Sequence, residues 1–287
     1  MNVLVGGTGF IGTALAEKLI QQGEAVTSIA RNIPEQKTEG VVYRAIDIFA
    51  HPEQLIPLFG HRATIFLLIG QNSSTFDASQ ELEGFEKVLD VIRTSVPEKV
   101  LFTSTALVYG ESIEAAKEHH ILAPKDIYAQ FKVSCEKKIQ EKLADIPVAI
   151  VRLGNVYGSE KNKGFIGLVL RKAIEGAEIR VNGDGLQERD YIFLDEVVSA
   201  MLTVKGKLKE SDTVNIVTGR SETLLEVLKV VSEVIGRPAS FFVTGIPVAE
   251  AGVVRVDNTK LKEKYGFVPR IFLKEGLEKT WGRYAKE

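Results

Sequence analysis

The first 21 residues commit this chain to one kind of fold. The apolar run Val3, Leu4, Val5 breaks into Gly6, Gly7, Thr8, Gly9, Phe10, Ile11 and Gly12, then continues as a helical stretch from Thr13 to Gln21. A buried strand that ends in glycines and passes straight into a helix aims the first free N–H groups of that helix at one point, which suits an anion. Gly6 permits the tight turn, and Gly9 lets a pyrophosphate approach with no Cβ in the way. Gly12 lets the helix close onto the strand. The spacing G-x-x-G-x-x-G is a variant of the dinucleotide fingerprint, and Phe10 and Ile11 fall inside it.

The bulk properties narrow the partners. With 287 residues, 45% hydrophobic and 26% charged, the chain can bury a sizeable core as one large domain or two lobes. A formal charge of −2 argues against a nucleic-acid or membrane surface, so an anionic ligand must be met by individual arginines. No basic, apolar leader precedes the first strand, and apolar stretches such as Ile65 to Ile69 are too short to span a bilayer. The expected location is cytoplasmic. Cys135 is the single cysteine, which excludes an internal disulfide and a cysteine zinc cluster, and the four histidines lack metal-ligand spacing, so no metal is expected.

Ala25 to Ile29 reads as the second strand, and its end selects the cofactor. An acidic residue here holds the ribose 2′-hydroxyl of NAD, whereas an arginine accommodates the 2′-phosphate of NADP. Ala30 stands where the acid would be and Arg31 and Asn32 follow, so NADP(H) is favoured, with NAD(H) left open. A third strand, Val41 to Ile46, ends in Asp47 and Ile48, a carboxylate for the adenine amino group and an aliphatic side chain for its ring. The other reading of Asp47 is a helix cap. The fourth strand, Thr64 to Ile69, is continuously apolar, includes Leu68 and ends at Gly70, where a ligand can come close. A helical pattern follows over Ser79 to Thr94. Strand alternating with helix predicts a parallel, doubly wound Rossmann-like α/β sheet.

Lys99 to Thr103 is the fifth strand, and Ser104 and Thr105 stand at its carboxyl end, the edge where open α/β sheets bind ligands. Tyr128 and Lys132 begin a helix running to about Leu143 and share one of its faces. There the ammonium lowers the phenol pKa toward neutrality, and Thr105 supplies a hydroxyl for the reacting oxygen.

These residues carry a resemblance to the extended short-chain dehydrogenase/reductase family, and within it to the nucleotide-sugar epimerases, dehydratases and 4-ketoreductases. It rests on the glycine motif at 6–12, Ser-Thr-Ala-Leu-Val-Tyr-Gly at 104–110, and Tyr128 with Lys132. It extends through Arg-Leu-Gly-Asn-Val-Tyr-Gly at 152–158 and Arg-Asp-Tyr-Ile-Phe at 189–193, covering nearly the whole chain. The resemblance implies Thr105 as the catalytic hydroxyl, Tyr128 as acid/base and Lys132 as ligand of the nicotinamide ribose. It further implies Asn155 and Arg189 as ligands of the substrate phosphates, a nucleotide-diphosphate sugar as substrate, and a homodimer paired through the helices at 79–94 and 128–143. The dinucleotide domain is expected over 1–157 and a smaller C-terminal α/β substrate lobe over 158–287, with some segments returning to the sheet.

The second lobe is predicted to hold a helix over Gly164 to Glu175, short strands at Glu178 to Val181 and Val214 to Val217, and a helix capped by Asp195, and the tail from Phe241 to Val243 through a last helix at about Leu277 to Tyr284 resembles the family's closing segment. Thr223 with Glu226 forms a capping box. The family's Arg-Pro-Gly-Asp stretch is missing from Ile246 to Val253, and Arg255 is a weak candidate to replace its arginine. Dehydratases of this kind place Asp-Glu directly after the threonine, and here Ala106 and Leu107 stand instead. That leaves 4-keto reduction, slightly favoured through Arg31, and 4-epimerisation with recycled NAD. Asn155 and Arg189 disfavour a non-sugar ketone, and the intact Thr105, Tyr128 and Lys132 disfavour a non-catalytic NADP sensor.

Overall fold

The computed structural model describes residues 1–70, 77–162, 164–246 and 251–284. In chain order the first elements are β1 (Asn2–Val5), α1 (Phe10–Gln21), β2 (Val26–Ala30), β3 (Val41–Ala45), β4 (Thr64–Leu67), α2 (Ala78–Ser95) and β5 (Lys99–Thr105). Next come β6 (Ser112–Ala116), α3 (Ile127–Lys142), β7 (Val148–Leu153), β8 (Asn155–Tyr157), α4 (Phe165–Glu175), β9 (Ile179–Val181), β10 (Glu188–Arg189) and β11 (Tyr191–Phe193). The remainder are α5 (Leu194–Lys207), β12 (Asp212–Ile216), β13 (Glu222–Thr223), α6 (Leu224–Ile235), β14 (Phe241–Val243), β15 (Val254–Val256), α7 (Thr259–Glu263) and α8 (Leu273–Tyr284).

Seven strands form one Rossmann-like sheet in the order β12-β7-β5-β4-β1-β2-β3. β1 lies parallel between β2 and β4, with Val5 opposite Ile29 on one side and Leu67 on the other. The sequence order reverses between β1 and β4, so the glycine turn leaves the sheet at its topological switch point, where ligands of such sheets bind. Every residue of β1 and β4 is buried, as expected for strands covered on both faces.

The chain divides into two compact units. The first comprises residues 1–108, 127–152 and 201–214, and the second 109–126, 153–200 and 215–287. The core of the first joins Val3, Val5, Ile65 and Leu67 of the sheet to Phe85, Val88, Leu89 and Ile92 of α2 and to Phe131, Cys135 and Ile139 of α3. The second has its own core, built from Tyr157, Val169, Leu170, Phe193, Val227, Leu228 and Leu277.

Local signals explain the helix ends. Asp77 caps α2, its Oδ1 accepting from the N–H groups of Ser79 and Gln80 at 3.0 and 3.1 Å. The capping box at α6 is formed, with Thr223 and Glu226 each accepting from the other's backbone. Asp195 is a correction: β11 runs directly into α5, which begins at Leu194, so Asp195 sits in the first helical turn rather than at the cap. Its charge still favours that end of the helix dipole. β5 extends to Thr105, two residues beyond expectation, and β4 stops at Leu67, leaving Leu68 outside the strand. Among the described residues no helix is long and apolar enough to cross a membrane, and no group of three or more His, Cys, Asp or Glu could hold a metal ion.

Candidate active site

The glycine turn shows which of its glycines the chain itself demands. Gly6 has φ +83°, and a Cβ there would lie 2.7 Å from the Leu68 carbonyl oxygen. One on Gly12 would lie 2.6 Å from the Gly7 backbone. Both are needed for the strand, turn and helix to close on one another. Gly9 differs: its φ is ordinary at −72°, and a Cβ would meet nothing nearer than the Gly6 oxygen at 3.4 Å. Gly9 is exposed and caps α1 with no side-chain bond to the first N–H groups. The space that its missing side chain leaves lies before the helix N-terminus, which fits a pyrophosphate there.

Around the ends of β2 and β3, Arg31, Asn32 and Asp47 are exposed and Ile48 is half-buried against the core. Asp47 Oδ1 accepts from the N–H groups of Phe49 and Ala50 at 3.1 and 3.2 Å, so one oxygen serves a local turn. Glu81, in the first turn of α2, is a residue that sequence reasoning missed. Burial raises its carboxyl above the usual range, while Arg31 pulls it down and Asp47 pushes it up, so Glu81 feels both charges. The signal for it was available, since Asp77 caps α2 and Glu81 is the acid in its first turn.

The candidate catalytic residues lie together in the first unit. Tyr128 and Lys132 occupy successive turns of α3, whose face of Phe131, Cys135 and Ile139 packs into the sheet core. Thr105 ends β5. Lys132 is 1% exposed, and its Nζ donates to the carbonyls of Ile69 at 2.6 Å and Thr103 at 2.7 Å. It also lies 4.7 Å from the Phe102 ring centroid and 5.7 Å from that of Tyr128. Gly70, at φ +109°, lets Ile69 come this close. Burial pushes the ammonium down to about 8, while negative charge at Cys135 or Glu136 pulls it up. Thr105 Oγ1 accepts from the Leu107 N–H at 3.2 Å, which leaves its hydroxyl proton for another acceptor.

Behind Lys132 lies a buried polar bridge that the sequence did not reveal. Glu136, 2% exposed, accepts from Ser104 Oγ at 2.5 Å and from Arg152 Nε and Nη2 at 3.1 and 2.6 Å. Arg152 and Ser104 are also buried.

Asn155 and Arg189 belong to the second unit. Asn155 is half-buried in β8, opposite Tyr191 of β11. Arg189 is 5% exposed, and its guanidinium donates to the carbonyls of Glu188 at 2.8 Å, Gly252 at 3.1 Å and Ala251 at 2.7 Å. It therefore acts at least as a strut for the backbone before β15. Arg255 grips the Glu188 carboxylate through Nε and Nη2, both at 2.7 Å, which takes up the fork that a diphosphate would need. Beside them Asp190, 3% exposed, accepts from Thr218 N and Oγ1, Gly219 N and Arg220 N. Its carboxyl is pushed up to about 6 by burial, against the pull of those bonds. Part of the Ile246 to Val253 stretch, residues 247–250, lies outside the described residues.

A sequence model of the NAD dependent epimerase/dehydratase family matches residues 3–217. The UDP-glucose 4-epimerase of Mycolicibacterium smegmatis is 26% identical over 303 residues, covering 97% of this chain and 96% of that protein. The solved UDP-glucose 4-epimerase of Thermotoga maritima, with UDP-glucose, superposes with a TM-score of 0.88 at 27% identity, over 100% of this chain and 99% of that one. MoeE5, solved with UDP-glucuronic acid and NAD, superposes with a TM-score of 0.90 at 23% identity, over 99% of each chain.

Proposed function

The chain belongs to the NAD dependent epimerase/dehydratase family, and we propose that it inverts C4 of a nucleotide-diphosphate sugar while retaining NAD. The observation that carries this reading is whole-length likeness to UDP-glucose 4-epimerases in a chain whose Thr105, Tyr128 and Lys132 are intact. Ala106 and Leu107 offer neither the acid nor the base that a dehydration needs.

When bound, NAD supplies the site that accepts and returns a hydride at the sugar carbon. The turn at Gly6, Gly9 and Gly12 would hold its pyrophosphate, with Phe10 and Ile11 beside it, and Asp47 and Ile48 its adenine. Leu68 and Gly70 line its approach. Lys132 spends two of its three donors on carbonyls, which leaves the third that would serve a ribose hydroxyl of the cofactor. Its charge would favour the phenolate of Tyr128, which would take the proton from the sugar hydroxyl and return it to the same oxygen once the keto sugar has turned its other carbonyl face to the hydride donor. Thr105 donates to the reacting oxygen. Asn155 and Arg189 are proposed to hold the substrate phosphates.

A second reading, net 4-keto reduction with NADPH, draws on exposed Arg31 at the end of β2. Release of cofactor from freshly purified protein separates the two. An epimerase yields stoichiometric NAD and needs none added. Protein that purifies empty and consumes NADPH with a nucleotide-linked 4-keto sugar is a reductase.

A further inference from the structure

We propose that Glu136, through its buried bridge to Ser104 and Arg152, is a positioning residue that keeps Lys132 charged and sets α3 against the end of β5. The inference rests on the catalytic reading above for its consequence, but its geometry stands alone. Glu136 lies one helical turn beyond Lys132 on the same face. Its two oxygens reach the residue before Thr105 and an arginine at the inner end of β7. A single carboxylate thus ties together α3, which carries Tyr128 and Lys132, the strand that carries Thr105, and the neighbouring strand of the sheet.

A buried ammonium over the Phe102 ring with two carbonyl acceptors is poorly solvated and tends to lose its proton. The groups facing it are Tyr128, Cys135 and Glu136 on its own helix, with Glu81 of α2 acting on Cys135. Burial pushes the Cys135 thiol up to about 12, so at neutral pH it is uncharged. Glu136 is then the buried anion that favours the charged lysine. Arg152 holds both oxygens of that carboxylate in place through its guanidinium fork.

The test is Glu136→Gln, which preserves shape and removes the charge. Protein carrying 13Cε-labelled lysine is titrated by NMR, with the Lys132 signal assigned through Lys132→Met. The expected result is a Lys132 midpoint lowered by about one pH unit, and turnover at alkaline pH lowered about tenfold with KM for the nucleotide sugar unchanged. Glu136→Gln/Arg152→Met, in which both buried charges leave, guards against a variant that fails to fold. An unchanged Lys132 midpoint in a folded variant overturns the proposal, as does failure of both variants to fold, which would make the bridge structural. A shifted midpoint in a protein with no epimerase activity would instead uphold the bridge and defeat the assigned reaction.

Discussion

A Cβ on Gly70 would lie 2.8 Å from Lys132 Nζ, so a missing side chain in the loop after β4 is what admits the ammonium to the Ile69 carbonyl. Gly70 is also at φ +109°, where an L side chain is strained. Gly70→Ala therefore has two effects. It should lower stability by about 1–3 kcal/mol through strain. It should also lower turnover roughly a hundredfold, because displacing a positioned group by about 1 Å costs that much. Thermal melts and steady-state kinetics read the two separately, and full turnover in the variant would show that Lys132 tolerates displacement.

Tyr128→Phe removes the phenolic oxygen and leaves the ring beside Lys132. Turnover should fall by about 10³ or more while affinity for NAD is nearly unchanged. Thr105→Ala should cost about a hundredfold, the loss of one positioned donor. Full activity in Tyr128→Phe would end the catalytic assignment.

Arg31 sets the cofactor prediction, and Glu81 qualifies it. Arg31 does not stand in an unopposed positive field, because the Glu81 carboxylate lies within its electrostatic reach. A 2′-phosphate approaching Arg31 thus also meets the negative charge of Glu81. Glu81→Gln should strengthen NADP⁺ binding and leave NAD⁺ binding nearly unchanged. Arg31→Asp should push preference further toward NAD⁺. Calorimetric titration of cofactor-stripped protein reads both, and equal affinities in parent and variants would reduce Arg31 to a loop residue.

How much of this was legible follows from distance along the chain. Gly12 was readable because the backbone that excludes a Cβ there belongs to nearby Gly7, whereas the Leu68 carbonyl that crowds Gly6 lies far along the chain; Tyr128 and Lys132 were readable because helical period places them on one face. Glu136 was not: its partners are 32 residues before it and 16 after it, brought together by the sheet order. Arg189 was expected only as a phosphate ligand, and its carbonyl partners Ala251 and Gly252 were out of sight because they lie about sixty residues on. Asp195 misled because an acid after an apolar strand looks like a cap, whereas here strand and helix are continuous.

The expected pairing through α2 and α3 takes a particular character from the structure. Their apolar residues Phe85, Val88, Leu89, Ile92, Phe131 and Ile139 belong to the first unit's own core. Toward solvent the two helices are laced by Lys138 to Glu86 at 3.2 Å and by Lys142 to Glu86 and Asp90 at 3.3 and 3.0 Å. A homodimer formed on this face is polar, so sedimentation should show it dissociating as salt rises. Dimers indifferent to salt would place the interface elsewhere.

Glu222 makes stability depend on pH in a direction opposite to that of ordinary paired carboxylates. It lies opposite Arg189 across the β10–β13 pair, and its buried Oε2 accepts no hydrogen bond among the described residues. Burial, then the charges of Asp190 and Glu226, push its carboxyl up to about 7, against the pull of Arg220. In the unfolded chain the same group titrates at its ordinary value of 4.5. Between those values the folded protein holds a proton that the unfolded chain has released, so stability is lost as pH rises through that window. Asp190, raised from 3.8 to about 6, adds a loss of the same sign over a lower window. Glu222→Gln should therefore flatten the fall in melting temperature between about pH 4.5 and 7, leaving the variant relatively more stable on the alkaline side. Melting curves that run parallel for parent and variant across that range would mean that Glu222 titrates alike in the folded and unfolded chain.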